Sequence, residues 1–251
     1  MARSSDYESI GVGYASRRVA DPRIAARVHA ALGDARTVLN VGAGAGSYEP
    51  ADRWVLAVEP SATMRAQRPA GAAPCLAASA EALPLDDDAV DAAMAMITVH
   101  HWSEGAVPGL RELRRVARGP VVVLTFDIEA GRSGWVLGDY VPEAHAVESV
   151  AFPTPAQIAE LLGGDARVEV VPVPADCTDG FVSAFETRPE AMLDPAVRAG
   201  QSVWSRLPDG VEERFVTRLA GDLASGAWDA RHGHRRDLSE VDGGLRLVVG
   251  A

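Results

Sequence analysis

Hydrophobic residues make up 47% of the 251-residue chain and charged residues 24%, which are ordinary values for a packed globular protein. Acidic residues outnumber basic residues by 35 to 24, and the resulting net charge of −11 disfavours binding to a nucleic-acid backbone. The apolar runs are too short to span a membrane, the first residues lack the apolar core of a secretory signal, and two cysteines are too few for a disulfide framework, so we expect a cytoplasmic protein without nucleic-acid or membrane partners.

The first predicted elements are a helix and a strand. Residues 21–32 begin with an aspartate–proline pair, a favourable N-cap and first turn, and then place apolar residues on one helical face. Residues 37–41 are apolar and predict a strand that runs directly into glycines at alternate positions, Gly42, Gly44 and Gly46. Because glycine has no Cβ and tolerates positive φ, such a turn lets the backbone come close to a ligand.

A second strand with a terminal acid completes a nucleotide-type site. A short helix near 47–52 is expected to lead into a strand at 54–58, which ends in Glu59. Strand, glycine turn, helix, strand and acid is the layout of a nucleotide site at the carboxyl edge of a parallel sheet, where the acid can accept hydrogen bonds from both ribose hydroxyls. A dinucleotide fingerprint requires glycine at its sixth position, which is Ser47 here, so the match to a pyrophosphate-binding turn is imperfect.

The remaining elements continue the alternation of strands and helices. Further strands are predicted at 74–77, 90–97, 120–126, 167–171 and 245–249. Further helices are predicted at 61–67, 105–117 and 155–162. Two insertions, residues 128–154 and 173–243, are longer than the connections require, and long insertions beside a ligand edge are often functional lids. The alternative is that their aromatic residues merely pack extra helices onto the sheet.

Four motifs in the right order resemble the class I methyltransferases that use S-adenosylmethionine. The glycine turn is similar to the first motif of that family, and Glu59 with the residues after it to the second. Later segments resemble the stretch that lines the adenine and the fourth strand with its following helix. The matching segments are 37–49, 59–64, 80–85, 91–96 and 110–116. The closest resemblance is to the small-molecule branch, type 11, that includes quinone-biosynthesis C-methyltransferases and natural-product tailoring enzymes.

The resemblance implies a fold, a cofactor and a reaction. The fold would be an α/β, Rossmann-like sheet of seven strands, mostly parallel with the last strand antiparallel, with helices on both faces and a helical cap insertion. The reaction would be direct, metal-independent methyl transfer from S-adenosylmethionine to a small organic molecule. Glu59 would hold the ribose diol, Ala80 and Glu81 would border the adenine, and Asn40 stands where the family often has an acid. The expected cofactor-binding residues are Tyr14, Asn40, Gly42, Ala43, Gly44, Gly46, Glu59, Pro60, Met64, Ala80, Glu81, Ala82 and Ile97.

The same resemblance implies a single methyltransferase domain over residues 1–251. It divides into an amino-terminal helical segment, a cofactor-binding core, a substrate cap and the rest of the sheet. The respective ranges are 1–35 for the helical segment, 36–127 for the core, 128–154 and 173–243 for the cap, and 155–172 and 244–251 for the rest of the sheet. A monomer and a homodimer both stay open.

Two adjacent histidines are the candidate catalytic residues. His100 and His101 follow the fourth predicted strand, at the sheet edge where ligands of this architecture lie. A neutral imidazole is suited to accept a proton from the methyl acceptor near pH 7. Because consecutive residues of a strand face opposite ways, at most one of the pair is expected to meet the substrate. The alternative is structural, with one ring bonded to the loop and the other packed beside the cofactor.

No metal site is expected. The acids 86–88 lie in a polar turn, where adjacent carboxylates are normally solvated, and His232 and His234 have no further ligands nearby in sequence. Two other functions stay open. One is a relative that binds S-adenosylmethionine but catalyses a non-methylating reaction such as a cyclisation, and the weaker one is an NAD-dependent oxidoreductase.

Overall fold

A computed structural model of the chain describes residues 17–151, 153–163 and 165–251. Its centre is a seven-stranded sheet in the order β3-β2-β1-β4-β5-β9-β6. The strands are β1 (Thr37–Val41), β2 (Trp54–Val58), β3 (Cys75–Leu76), β4 (Ala92–Met96), β5 (Val121–Phe126), β6 (Arg167–Val170) and β9 (Leu245–Gly250). Strand β9 lies antiparallel between β5 and β6, whereas β1 to β5 pair in parallel. The predicted seven-stranded fold with an antiparallel last strand is therefore confirmed.

The central strands are apolar because both faces of the sheet are covered. All four strand residues from Val38 to Val41 are buried, as are Val121 to Thr125. Parallel strands covered on both faces have near-continuous apolar sequences. One face packs against α1 (Pro22–Ala31) through Ile24 and Val28, and the other against α3 (Ala106–Val116) through Leu110.

Local sequence signals fix the ends of the predicted helices. Helix α1 begins after Asp21, whose carboxylate accepts a hydrogen bond from the backbone N–H of Arg23. Helix α2 (Ala62–Ala66) has Ser61 as its N-cap. A capping box of Thr154 and Gln157 begins the later helix Pro155–Leu162, whose predicted bounds are those observed.

The helix predicted near 47–52 is wrong. Residues 42 to 53 form successive turns instead, and β2 begins directly after them. Tyr48 has a φ of 66°, and this left-handed conformation interrupts a right-handed helix. Pro50 lies two residues later and lacks the backbone N–H that a continuing helix would need. The short connection leaves the glycine turn packed closely against the ends of β1 and β2.

The two insertions form most of the remaining structure. The first contains α4 (Ile128–Gly131), a π-helical turn (Val136–Tyr140) and α5 (Glu143–Ala151), and α6 is the following helix Pro155–Leu162. The second contains an unpredicted two-stranded sheet of β7 (Val173–Pro174) and β8 (Glu240–Val241). Its helices are α7 (Pro195–Arg198), α8 (Val211–Ser225) and α9 (Ala227–His232). Short 3₁₀ turns lie at Val99–His101, Ser103–Gly105, Val182–Phe185, Pro189–Leu193, Trp204–Arg206 and Gly233–Asp237.

An aromatic cluster holds the two insertions together. Trp135 and Tyr140 of the first insertion contact Phe215 of the second, with ring centroids 6.2 and 6.1 Å away. Trp228 packs edge-on against Trp135 at 5.6 Å, and all four side chains are buried. These residues pack the two insertions against each other, whereas the packing alternative placed such aromatic residues against the sheet. Within the described residues, no helix has the length and apolarity needed to cross a membrane.

Candidate active site

The glycine turn after β1 has the backbone geometry that glycine permits. Gly42, Gly44 and Gly46 have φ values of 66°, 52° and 99°. A Cβ at Gly42 would lie 2.3 Å from Oγ1 of Thr98, so this position also lacks space for a side chain. The N–H groups of Gly42 and Ala43 both donate to the carbonyl of Val58, which fixes the turn to the end of β2.

Glu59 lies directly against this turn. Its two carboxylate oxygens accept hydrogen bonds from the backbone N–H of Gly44 at 2.8 Å and of Ser61 at 2.9 Å. The residue is 7% exposed. Ser61 caps α2, whose Met64 is buried beside Gly44, 3.2 Å from where a Cβ would stand. The structure therefore brings together the first two expected motifs, with the carboxylate over the glycine turn.

Asn40 belongs to a buried polar group that sequence reasoning missed. Its amide Nδ2 donates to Glu49 at 3.0 Å, and the guanidinium of Arg68 binds both oxygens of that carboxylate at 2.9 and 2.8 Å. The amide oxygen of Asn40 is buried and has no hydrogen-bond partner among the described residues. Glu49 follows the glycine turn closely in sequence, which is the one signal that could have indicated it.

The expected adenine segment lies at the surface beside α3. Ala80 is buried against Trp102 and the first turn of the helix at Gly109, whose Cβ would lie 3.0 Å from that of Ala80. Glu81 and Ala82 are exposed, and so is Pro60 after the second motif. Tyr14, the expected amino-terminal cofactor contact, lies outside the described residues.

The chain turns sharply after β4. Ile97 has a φ of 51°, a left-handed conformation that is strained for a β-branched residue and that concentrates at functional sites. Its backbone N–H still bonds to Leu124 at 2.7 Å, so β5 holds it in place. The strand thus ends at Met96 instead of at the predicted residue 97.

Both histidines face the same side, contrary to the expectation from strand alternation. His100 and His101 belong to a 3₁₀ turn (Val99–His101), where consecutive residues need not alternate, and their ring centroids are 3.7 Å apart. Both line one cavity. Burial, with the neighbouring guanidiniums of Arg206 and Arg18, lowers the pKa of His101 to about 3 and that of His100 well below its usual value. Both imidazoles are therefore neutral at pH 7.

The cavity lies at the carboxyl edge of the sheet and is partly open, with about 720 Å³ of space that includes open solvent. The core contributes Ile97, the two histidines and Phe126 to its wall. The insertions contribute residues from both segments, which are Ile128, Gly131, Leu137, Glu148, Phe181, Val182, Ser183, Glu186, Gln201, Ser202, Val203 and Gly243. Arg18 and Asp127 complete the lining. Sequence patterns did not indicate which insertion residues would meet here.

Two carboxylates of this wall are unusual in their burial. The side chain of Glu148 is 9% exposed and pairs with Arg206, and that of Glu186 is 4% exposed and pairs with Arg235. Burial raises the pKa of both carboxyls to about 7, although each guanidinium lowers it. Neither glutamate belongs to a recognisable motif, so sequence analysis did not single them out.

A buried bridge connects the glycine turn to this cavity. The hydroxyl of Tyr48 donates to Asp179 at 2.7 Å, and Nε of Arg18 donates to the other oxygen of the same carboxylate at 2.5 Å. Asp179 is 2% exposed. Arg18 lines the cavity, and so does Phe181, which lies two residues beyond Asp179 in the sequence. Burial and the Asp179 charge raise the pKa of the Tyr48 hydroxyl far above its usual range.

The candidate metal ligands do not converge. Asp86, Asp87 and Asp88 are exposed, and Asp87 pairs with Arg115. His232 contacts Asp139 through Nε2 at 3.1 Å, while His234 is exposed. Across the described ranges, no group of three histidine, cysteine, aspartate or glutamate side chains could hold an ion.

Comparison with known proteins gives consistent relatives. A family model described as "Methyltransferase domain" matches residues 39–123. A protein of Anabaena variabilis ATCC 29413, described as a methyltransferase from an antibiotic biosynthesis pathway, is 30% identical with a TM-score of 0.86, over 94% of this chain and 99% of that chain. No curated protein matches.

Two more distant solved structures share the fold. A SAM-dependent methyltransferase of Thermotoga maritima is 16% identical with a TM-score of 0.53, over 98% of this chain and 91% of that chain. The phosphoethanolamine N-methyltransferase 2 of Haemonchus contortus, in complex with S-adenosylhomocysteine, is 12% identical with a TM-score of 0.54, over 97% of this chain and 55% of that chain. The family is identified by the relative that matches nearly end to end, with the family model and the strand order: the protein is an enzyme of the class I, type 11 family of S-adenosylmethionine-dependent methyltransferases.

Proposed function

We propose that the protein transfers a methyl group from S-adenosylmethionine to a small organic molecule held in the cavity at the carboxyl edge of the sheet. When bound, S-adenosylmethionine supplies a methyl group on a positively charged sulfur. The observation that carries the proposal is the position of Glu59, at the end of β2 and over the glycine turn, on the same carboxyl edge of the sheet as a cavity lined by both insertions. The Anabaena relative supports natural-product tailoring as the setting of the reaction.

The residues of the turn fit a nucleoside ligand. Glu59 presents a carboxylate for the ribose hydroxyls, and Gly44 has space beside it because no atom but the methyl end of Met64 lies within 4 Å of a Cβ there. The buried amide oxygen of Asn40 offers an acceptor to a donor of the ligand, in place of the missing acid. Ala80 and Glu81 would border the adenine. These assignments are part of the proposal.

The cavity residues would bind and orient the acceptor. Ile97 and Phe126 provide apolar contact, and the two insertions exclude water as the proposed substrate cap. Displacement at a methyl carbon needs an aligned nucleophile and a dry site. Neutral His100 and His101 can accept a hydrogen bond from the acceptor and orient it, but a pKa of about 3 makes His101 a weak general base. We assign the two histidines to orienting the methyl acceptor and accepting its proton over a short distance. The proposed reaction uses no metal.

Calorimetry with S-adenosylhomocysteine tests the cofactor site. We expect Glu59→Ala to weaken binding by at least about tenfold, the effect of losing charge-assisted hydrogen bonds of ~1.5–3 kcal/mol. Glu59→Gln keeps one oxygen acceptor and should lose less. Exposed Glu213→Ala is the control, and thermal unfolding checks that each variant folds. Equal affinity for the wild type and Glu59→Ala would refute the assignment.

A labelled-methyl assay with a panel of amines, phenols, carboxylates and polyketide-like compounds tests the reaction. Formation of S-adenosylhomocysteine together with a labelled product supports methyl transfer. S-adenosylmethionine binding without any labelled product would favour a non-methylating relative. Stabilisation by NAD instead of by S-adenosylhomocysteine would favour an oxidoreductase.

A further inference from the structure

We propose that the cavity anchors a protonated amine of the methyl acceptor through the carboxylates of Glu186 and Glu148. The inference rests on the proposed function, because it names the chemical class of the molecule that enters the acceptor cavity. It concerns the group that holds the acceptor in place and not the atom that is methylated.

Glu186 belongs to the cavity wall, and one of its two carboxylate oxygens already accepts hydrogen bonds from the protein. Its Oε2 accepts hydrogen bonds from the backbone N–H of Trp135 at 3.3 Å and from Arg235 at 2.9 Å. Its Oε1 accepts none from the described residues, and Gly134 leaves room for it, since a Cβ there would lie 2.3 Å away. With its side chain 4% exposed, Glu186 belongs to the cavity lining and keeps one carboxylate oxygen without a donor among the described residues.

Glu148 repeats this arrangement on the other insertion. Its Oε1 pairs with Arg206, while its Oε2 has no hydrogen-bond donor among the described residues. The side chain is 9% exposed and also lines the cavity. Within the described part of the chain, Arg206 and Arg235 are not among the residues that line the cavity. The surface offered to a ligand is therefore acidic.

The remaining charges of the wall do not reverse this preference. Arg18 is neutralised by Asp179 at 2.5 Å, both histidines are neutral, and Asp127 adds another carboxylate. Burial raises the pKa of both glutamates to about 7, because removal from water disfavours the charged carboxylate. A bound cation would offset this desolvation cost.

An ammonium group suits this wall better than the alternatives. An anionic acceptor would place like charge beside buried carboxylates, and a hydroxyl would donate only a neutral hydrogen bond to their open oxygens. A protonated amine satisfies the open oxygens by charge-assisted hydrogen bonds. Phe126 and Phe181, with ring centroids 5.4 Å apart, provide apolar contact for the rest of the acceptor.

Three probes of one shape test the proposal. Binding of 2-phenylethylamine, 2-phenylethanol and phenylacetate is measured by calorimetry to the full-length protein saturated with S-adenosylhomocysteine, at about pH 8, where the carboxyls are ionised and the amine is protonated. We expect the amine to bind at least about tenfold more tightly than either analogue. Glu186→Gln should weaken amine binding at least about fivefold and leave alcohol binding within about twofold.

Glu148→Gln is the second variant, in case Glu186→Gln does not fold, and exposed Glu213→Gln is the matched control. Both test variants must bind S-adenosylhomocysteine like the wild type, which separates a failed anchor from a failed cofactor site. The proposal is overturned if the alcohol or phenylacetate binds as tightly as the amine, if no amine binding is detected, or if both glutamine variants keep the full preference for the amine. If the wild type does not bind S-adenosylhomocysteine, the proposed function is refuted instead.

Discussion

At the scale of single residues, the two histidines show how burial sets chemistry. An imidazole free in water titrates near 6.5, but His101 is desolvated by the cavity wall and lies near the guanidiniums of Arg206 and Arg18, so its pKa falls to about 3. The site therefore keeps an uncharged ring pair next to the acceptor cavity over the whole physiological range.

This burial predicts a pH dependence of stability. The unfolded chain binds a proton at His101 below about pH 6.5 and the folded protein does not until about pH 3, so stability falls as the pH is lowered through this window. Relative to His101→Gln, the wild type should lose about 2 kcal/mol of unfolding free energy between about pH 7 and pH 5. Urea denaturation at a series of pH values measures it.

The control for this series is His234→Gln, because His234 is exposed and lies away from the cavity lining. We expect its stability to follow that of the wild type at every pH. Parallel curves for the wild type and His101→Gln would contradict a buried, neutral His101.

At the scale of elements, the glycine turn depends on contacts that a motif does not describe. Gly42 combines a φ of 66° with a neighbour, Thr98, from the loop after β4. The first glycine is thus required by the packing of two strand ends, in addition to any approach of a ligand. Gly44 and Gly46 have more space.

Gly42→Ala should therefore lower the unfolding free energy by more than left-handed backbone strain alone would. The strain contributes about 1–3 kcal/mol, and displacing the Thr98 side chain adds to it. Gly33→Ala is the matched control, since Gly33 has a φ of 56° with no atom within 4 Å of a Cβ. We expect Gly42→Ala to lower the unfolding free energy by at least about 1 kcal/mol more than Gly33→Ala, measured by urea denaturation. Equal losses would show that Thr98 yields without cost.

At the scale of the whole molecule, the Tyr48–Asp179–Arg18 bridge connects the cofactor-binding core to the second insertion. Tyr48 and Asp179 are 131 residues apart in sequence, and both are buried. The glycine turn and the cavity are thereby held in one arrangement, which the proposed displacement at a methyl group would require.

Removing the hydroxyl should loosen this connection. We expect Tyr48→Phe to lower the unfolding free energy by about 1–3 kcal/mol, because the Asp179 carboxylate loses a buried donor. Hydrogen exchange should accelerate around residues 178–183. Tyr140→Phe removes a similar bond to Asp222 within the insertions and should leave this segment unchanged. Unaltered exchange at 178–183 in Tyr48→Phe would contradict the bridging role.

Much of the fold could be predicted because its signals are local. Buried parallel strands such as β1 and β5 are continuous apolar runs, and Asp21 and Thr154 mark helix starts by hydrogen bonds within one turn. The helix predicted near 47–52 was wrong because the left-handed Tyr48 is held by distant partners, His29 and Asp179. No nearby residue indicates that conformation.

The sequence by itself indicated the family and, through that resemblance, a seven-stranded sheet with an antiparallel last strand. It also indicated the close approach of Glu59 to the glycine turn, because these motifs lie within short stretches of chain. Tertiary structure decided that both histidines face the cavity, because β5 fixes the strained backbone of Ile97. It also decided that Glu148 and Glu186 meet in one wall. Their presence in one wall depends on how two separate insertions pack around a shared aromatic cluster. Contacts between residues so far apart in the chain leave no periodic pattern in the sequence.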